Sequence, residues 1–314
     1  MSKKQETKLV DTFNSLPELQ HLHAGCINIT EAHIGIRLPI ALIQDKIHSL
    51  VSAGNLAPEF NIKQDIPTFQ ALKTPHPKVK NIIAIASGKG GVGKSTVTYF
   101  LAQALQKMGA KCGVLDADIY GPIQALLFNI DEKPQMQGKQ FMPFIRRGIQ
   151  VMSIGVLANS NKALMWRGPM ISQALMQLYQ QTLWEDLDYL LVDLPPGTGD
   201  ISLTLLQKIP VTASILVSNP HPLAEMDVKR CQYLFQKLSA PILTTVMNME
   251  APNHSGLSTE NPFTLQFSQK FRDLEPLAHP EFLQLAHVIT RRLCHLPIYQ
   301  PNPFDQFKVA RDRS

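Results

Sequence analysis

No two cysteines lie close together in this chain. Its four, Cys26, Cys112, Cys231 and Cys294, are widely spread, which excludes a disulfide framework and any C-x-x-C metal or redox pair. Long apolar runs are also missing. The longest, such as IIAIA from Ile82, fall far short of the roughly 20 residues that span a bilayer. MSKKQETK at the start has no apolar segment behind it, so no signal or anchor is read and the protein is expected in the cytosol, away from membranes. Lys and Arg outnumber Asp and Glu by 30 to 25, for a formal net charge of +5. Yet the basic residues are scattered singly or in pairs, too dilute for a nucleic-acid surface, so no nucleic-acid partner is expected.

What is present is apolar mass and punctuation. With 44% apolar content in 314 residues, the chain can bury the core of one large domain with a small appendage. Residues 1–72 read as a small α/β module: TKLVDTFNSL as a short helix, CINI and HIGIRLP as a hairpin with a two-residue period, and IALIQDKIHSLVSAG as an amphipathic helix stopped at Gly54. Prolines and lysines make 73–80 a linker.

From Asn81 to about residue 295, apolar β runs alternate with helical segments, the pattern of a parallel sheet with crossover helices. IIAIAS, KCGVLD, IQVMSIG, DYLLVDL, ASILVS and ILTTVM are the predicted strands. KSTVTYFLAQALQKM and the segment from about Pro169 to Leu183 are predicted helices. The polar, turn-rich stretch 250–262 is expected as a mobile loop with two helices after it, and 296–314 as a tail.

GKGGVGKST, Gly88 to Thr96, follows the first of these strands and opens a helix, the context in which G-x-x-x-x-G-K-[ST] cradles phosphates. Gly88, Gly90, Gly91 and Gly93 let successive N–H groups turn inward, and the helix N-terminus adds its partial positive charge at the same place. The run Gly88, Lys89, Gly90, Gly91, Val92, Gly93, Lys94, Ser95 and Thr96 is therefore the predicted nucleotide-binding loop, with Lys94 on the β and γ phosphates and Ser95 on Mg²⁺. Lys89 is a second lysine where one suffices. The residues alone leave it either a solvated surface lysine or an ammonium reaching a nucleotide held by a twin subunit, where it would act as an arginine finger does.

Further chemistry sits at strand ends, where ligands collect in open α/β sheets. Asp116 and Asp118 in VLDADIYG are spaced to face the same way: Asp118 suits the orientation of an attacking water, and Asp116 the support of a Mg²⁺ shell. Asp193 ends the strand in LLVDLPPGTGD and can hold Mg²⁺ through its waters, while Gly197 leaves the following loop able to offer an amide to the γ phosphate. Asn219 and Asn248 follow two later strands, and a carboxamide suits the edge of adenine.

GKGGVGKST resembles the deviant phosphate loop of the dimerising ATPases that include MinD, ParA and the nitrogenase iron protein. With DADIYGP, WRGPM and DYLLVDLPPGTGD added, Val79 to Asn248 resembles the Mrp/ApbC branch, whose members carry iron-sulfur clusters to acceptor proteins. The resemblance implies an α/β P-loop NTPase with a mostly parallel sheet flanked by helices, joined to a small N-terminal α/β domain. It implies a slow Mg²⁺-dependent ATPase that pairs as a homodimer, with Lys89 crossing the two-fold interface, Asn248 on the base and Gly197 in the second switch. It also implies acceptor or scaffold proteins as partners.

One expected feature is missing. Mrp proteins carry C-x-x-C soon after the asparagine matching Asn248, whereas this chain reads NMEAPNHSG, and Ser255 or His254 would be poor substitutes for thiolates. Cys112, Cys231 and Cys294 read as packing residues, and HLHAGC, His21 to Cys26, offers metal-like spacing without a fourth ligand. Iron-sulfur ligands are therefore unassigned. The functional expectation is an ATP-hydrolysing cluster carrier or assembly factor. The alternatives are an ATP-switched interaction protein that binds no cluster and a MinD- or ParA-type positioning ATPase.

Overall fold

The computed structural model describes residues 10–15, 24–29, 33–53, 61–71, 73–158, 168–221, 224–250, 262–266 and 279–300. His21, His23, Trp166, Arg167, His254, Ser255, most of the expected mobile loop and the tail beyond 300 lie outside these residues.

The centre of the molecule is an eight-stranded sheet. Its middle strand, β4 (Val79–Ser87), buries eight of its nine residues, because both faces are covered, as expected of a strand with a continuous apolar run. On one side of it lie β11 (Ala213–Ser218), β12 (Ile242–Glu250) and β13 (Phe263–Gln266). On the other lie β10 (Leu187–Asp193), β5 (Cys112–Asp116), β9 (Ile149–Ser153) and β8 (Phe144–Arg146). Every pairing is parallel except β8 with β9. All six predicted strands are present. Helix α2 (Lys94–Lys107) follows β4 directly and packs on β5, β10 and the late helix α8 (Pro280–Leu293).

This topology decides where chemistry can occur. Parallel strands bring their carboxyl ends to one edge, and β4, β5 and β10 are hydrogen-bonded neighbours there. In register, Asp193 sits opposite Asp116 on one side and Ile85 on the other. The two aspartates are thus adjacent although remote in sequence.

Two elements depart from the sequence reading. Where a helix was expected after Pro262, Phe263–Gln266 forms an edge strand parallel to β12; its single buried residue, Leu265, fits the alternation of a half-buried strand. The stretch before Gly148, where no strand was predicted, contains the antiparallel pair β6 (Met136–Gln137) and β7 (Gln140–Phe141) and then β8, turned back on β9 through Arg147 and Gly148 at positive φ.

The N-terminal residues form a separate three-stranded sheet of β1 (Ile27–Ile29), β2 (His33–Ile36) and β3 (Asn61–Gln64). The hairpin β1–β2 and helix α1 (Gln44–Ala53) match the reading, but β3, parallel to β2, is polar apart from the buried Ile62 and gave no sequence signal. This sheet is stapled to the larger unit. Gln64 donates to Gly109 O at 3.0 Å, Ala41 N to Met108 O at 2.9 Å, and Phe69 N to the buried Asn81 Oδ1 at 3.0 Å. Its apolar residues, Phe13, Ile34 and Ile47 among them, belong to the same core cluster as α2 and α8. Residues just past α8 return to it as well, with Ile298 bridging Phe69 and Tyr299 N donating to Thr68 O.

Candidate nucleotide-binding site

At the carboxyl edge of the sheet lies a pocket of about 460 Å³. Lys89, Gly90, Gly91, Val92, Gly93, Lys94, Ser95 and Thr96 line it from the loop between β4 and α2, and Asp118 lines it from the segment after β5. Gly93 has φ 82°, a value that L side chains resist, and a side chain there would also collide with Asn248. Gly88 sits against the backbone and Cβ of Asp227, in the first turn of α7 (Ala224–Lys237), with no room for even a methyl group.

Lys94 is 5% exposed. Its Nζ lies 2.5 Å from Asp193 Oδ1 and 3.4 Å from Asp118 Oδ2. Burial pulls its pKa down, but the Asp193 and Asp118 carboxylates outweigh that, and the net shift is upward. The lysine is a fixed cation held in reserve by the carboxylates around it. Asp118 also accepts from Tyr120 N and Gly121 N at 3.2 and 3.3 Å, which folds the segment after β5 around it.

Behind this layer Asp116 is fully buried. Its Oδ2 accepts from Ser153 Oγ at 2.8 Å and Gln124 N at 3.1 Å, and its Oδ1 from Asp118 N at 3.2 Å. Burial first, and then the neighbouring Asp193 charge, push its pKa up to about 8. Asp193, also fully buried, is shared between Lys94 and Gln124, whose Nε2 reaches Asp193 Oδ2 at 2.8 Å and Ser95 O at 2.9 Å.

The structure therefore gathers Lys94, Ser95, Asp116, Asp118 and Asp193 into one contiguous group, while Asp116 and Asp193 do not line the pocket itself. Asn248 is buried beneath the loop and donates to Val92 O at 2.9 Å, so its amide supports the loop in this state. The side-chain oxygen of Asn219 is buried without a partner among the described residues. Gly197, at φ 85°, gives its N–H to Ser87 O at 2.7 Å, which ties the segment after β10 to the base of the loop. Lys89 is half-exposed at the pocket mouth. Gln124, Ser153, Tyr120, Ile123 and Met249 were missed by sequence reasoning. Only Gln124 had a sequence signal, a polar residue eight positions after Asp116 within an otherwise apolar turn.

The cysteines are elsewhere. All four are buried and none is in a disulfide. Cys294 shares a hydrogen bond with Cys26 that, with burial, drives its thiol far up, and burial raises Cys112 well above its usual value and Cys231 to about 11. Thiols held protonated are poor ligands. Among the described residues, no group of three or more His, Cys, Asp and Glu side chains is placed to hold a metal ion.

Residues 78–274 match the family model of the ParA class described as NUBPL iron-transfer P-loop NTPase. The chain belongs to that family. Among relatives, an iron-sulfur cluster carrier protein of Pseudomonas fragi is 52% identical over 174 residues, covering 54% of this chain and 61% of the relative. One of Escherichia coli K12 is 47% identical over 200 residues, covering 62% and 54%. The alignments thus span between about half and three-fifths of those relatives. Among solved structures, an ADP-bound nucleotide-binding protein of Archaeoglobus fulgidus superposes with a TM-score of 0.55 at 30% identity, over 73% of this chain and 93% of that one. The cell division ATPase MinD of Pyrococcus furiosus, at 18% identity and a TM-score of 0.51 over 68% and 98%, shares the fold. The NUBPL-type core thus coincides with the large sheet, and the N-terminal three-stranded sheet lies outside the matched residues. No helix among the described residues is long and apolar enough to cross a membrane.

Proposed function

We propose that this NUBPL-type NTPase binds and slowly hydrolyses ATP, pairs with a second copy across its nucleotide face, and serves iron-sulfur cluster assembly or delivery in the cytosol. The observation that carries the reading is Lys94, a buried cation paired with the Asp118 and Asp193 carboxylates beside an open glycine-lined pocket. An arriving triphosphate competes for that ammonium and is met by the loop amides and the N-terminus of α2. Ser95 and Asp193, with Asp116 behind them, form a hard oxygen donor set of the kind Mg²⁺ prefers, and the ion, when bound, would neutralise charge on the β and γ phosphates.

Asp118, the one aspartate facing the pocket, orients the attacking water. Lys89 crosses to the partner copy's nucleotide and neutralises charge developing on the transferred group. Gly197 releases Ser87 O to reach the γ phosphate, and Asn219, with its orphan acceptor, takes the adenine amino group while Asn248 holds the loop beneath. Calorimetry with magnesium should detect ATP and ADP; no affinity for either nucleotide would overturn the proposal.

The cluster is cargo, and its ligands are not among the described cysteines, all of which are buried. The reading favoured is that a scaffold or acceptor protein supplies the thiolates. The same burial favours a second reading, an ATP-switched interaction protein with no cluster. Iron quantified on anaerobically prepared protein, alone and with a cluster-loaded scaffold, separates them: iron that follows ATP-dependent complex formation supports cluster handling, and complex formation without iron transfer leaves the switch.

A further inference from the structure

Gln124 is fully buried in a short helical turn, α3 (Gln124–Leu127), among apolar neighbours. Its side-chain nitrogen bonds to Ser95 O and Asp193 Oδ2, and both of these are acceptors. Only an amide nitrogen can serve the two together, so chemistry fixes the orientation of the carboxamide. Its backbone N–H meanwhile bonds Asp116 Oδ2. One residue thus grips both buried aspartates and the first turn of α2. The carboxamide oxygen, Oε1, is buried and has no partner among the described residues. Native chains keep few such groups, and each calls for a cause.

We propose that Gln124 is a positioning residue of the nucleotide site: it holds Asp193 in place when Lys94 leaves for the phosphates, and its free oxygen accepts a hydrogen bond from a water of the cation that accompanies the nucleotide. The logic follows from the division of Asp193. One carboxylate oxygen belongs to Lys94 and the other to Gln124. When the ammonium turns toward a phosphate, the first oxygen is freed and the second stays pinned, so the carboxylate keeps its direction. Without Gln124 it would be free to rotate at the moment a cation needs it. A hydrophobic residue of similar volume would pack as well and do neither task.

The proposal rests on the ATPase reading, and its test separates the two. ADP affinity is measured by calorimetry in EDTA and in Mg²⁺, alongside the Mg²⁺ dependence of ATP turnover and the thermal midpoint without ligand, for wild type, Gln124→Met and Gln124→Glu. Loss of an outer-shell partner typically costs roughly 10–100-fold in metal affinity or activity. The expected result is a rise of that order in the Mg²⁺ needed for half-maximal turnover, a lower kcat with KM for ATP nearly unchanged at saturating Mg²⁺, and unaltered ADP affinity in EDTA. Gln124→Glu, which sets a carboxylate against Asp193 and Ser95 O, should be the worse of the two. Equal Mg²⁺ dependence in wild type and variants overturns the assignment, as does a loss of ADP affinity that is the same with and without magnesium. If Gln124→Met does not fold, Gln124→Asn, which keeps an uncharged carboxamide on a side chain one methylene shorter, carries the test. Wild type that binds no nucleotide in either condition overturns the ATPase reading instead.

Discussion

Strand β10 carries an aspartate near each end, and the two environments could hardly differ more. At its amino end Asp188 accepts from Lys80 Nζ at 2.8 Å and from Lys111 N at 2.9 Å; the lysine side chain is 45% exposed and the carboxylate 8%. Just beyond the strand, Lys78 and Asp186 pair at 3.1 Å with both side chains more than half exposed. At the carboxyl end Asp193 and Lys94 are 0% and 5% exposed, with Asp116 and Asp118 beside them. The first arrangement leaves at least one member of each ion pair in contact with water. The second encloses three carboxyl groups and one ammonium, an excess of buried negative charge that is unfavourable unless a proton or a further cation offsets it. The same strand therefore has a structural end and a working end.

The comparison is broken most directly at Lys94. Lys94→Met should abolish measurable ATP binding by calorimetry. It should also lower the stability of the unliganded protein by about 3–5 kcal/mol in denaturant titration, because removing one partner strands buried charge. A variant that stays as stable as wild type would show that the working end is not strained. Next, Lys89→Ala should slow turnover by roughly 10³-fold or more while nucleotide affinity holds, if its role matches that of an arginine finger; unchanged turnover would confine Lys89 to the surface.

Acidity sharpens the contrast. The pKa of Asp116 is raised to about 8, so the folded state binds its proton more tightly than the unfolded chain. Its contribution to stability is fully present below about pH 4 and is lost as pH rises through about 8. Urea titrations of wild type should show that loss across this window relative to Asp116→Asn; parallel pH profiles would place the ionised form comfortably in its site. At the other end, Asp188→Ala should cost about 1–3 kcal/mol through the Lys111 N–H left without its acceptor. Lys78→Ala should leave the thermal midpoint where it was, since both side chains of its pair are more than half exposed.

The phosphate loop and the parallel sheet were legible because their requirements are local: glycines where φ turns positive, and apolar runs buried on both faces. Asp116, Asp118 and Asp193 were legible as strand-end carboxylates. Their division into a pocket-facing Asp118 and a buried pair was not, since it depends on the register between β5 and β10. Gln124 was illegible for a related reason, as its partners Ser95 and Asp193 come from two other elements. Asn248, read from the sequence as a base-binding group, lies next to the loop and donates its amide to Val92 O, a contact that depends on how β12 sits against the loop and was not legible. Strand β3 gave no sign because a single apolar residue, Ile62, stands among polar ones; it forms by pairing with β2 while Ile62 alone enters the core.

The contact between Gly88 and Asp227 has a mechanical corollary. Because the first residue of the phosphate loop and the opening turn of α7 pack so closely that not even a methyl group fits between them, neither can move toward the other without displacing it. A protein docking on that helix would therefore handle the nucleotide grip directly, as a hand on a latch rather than a signal along a wire.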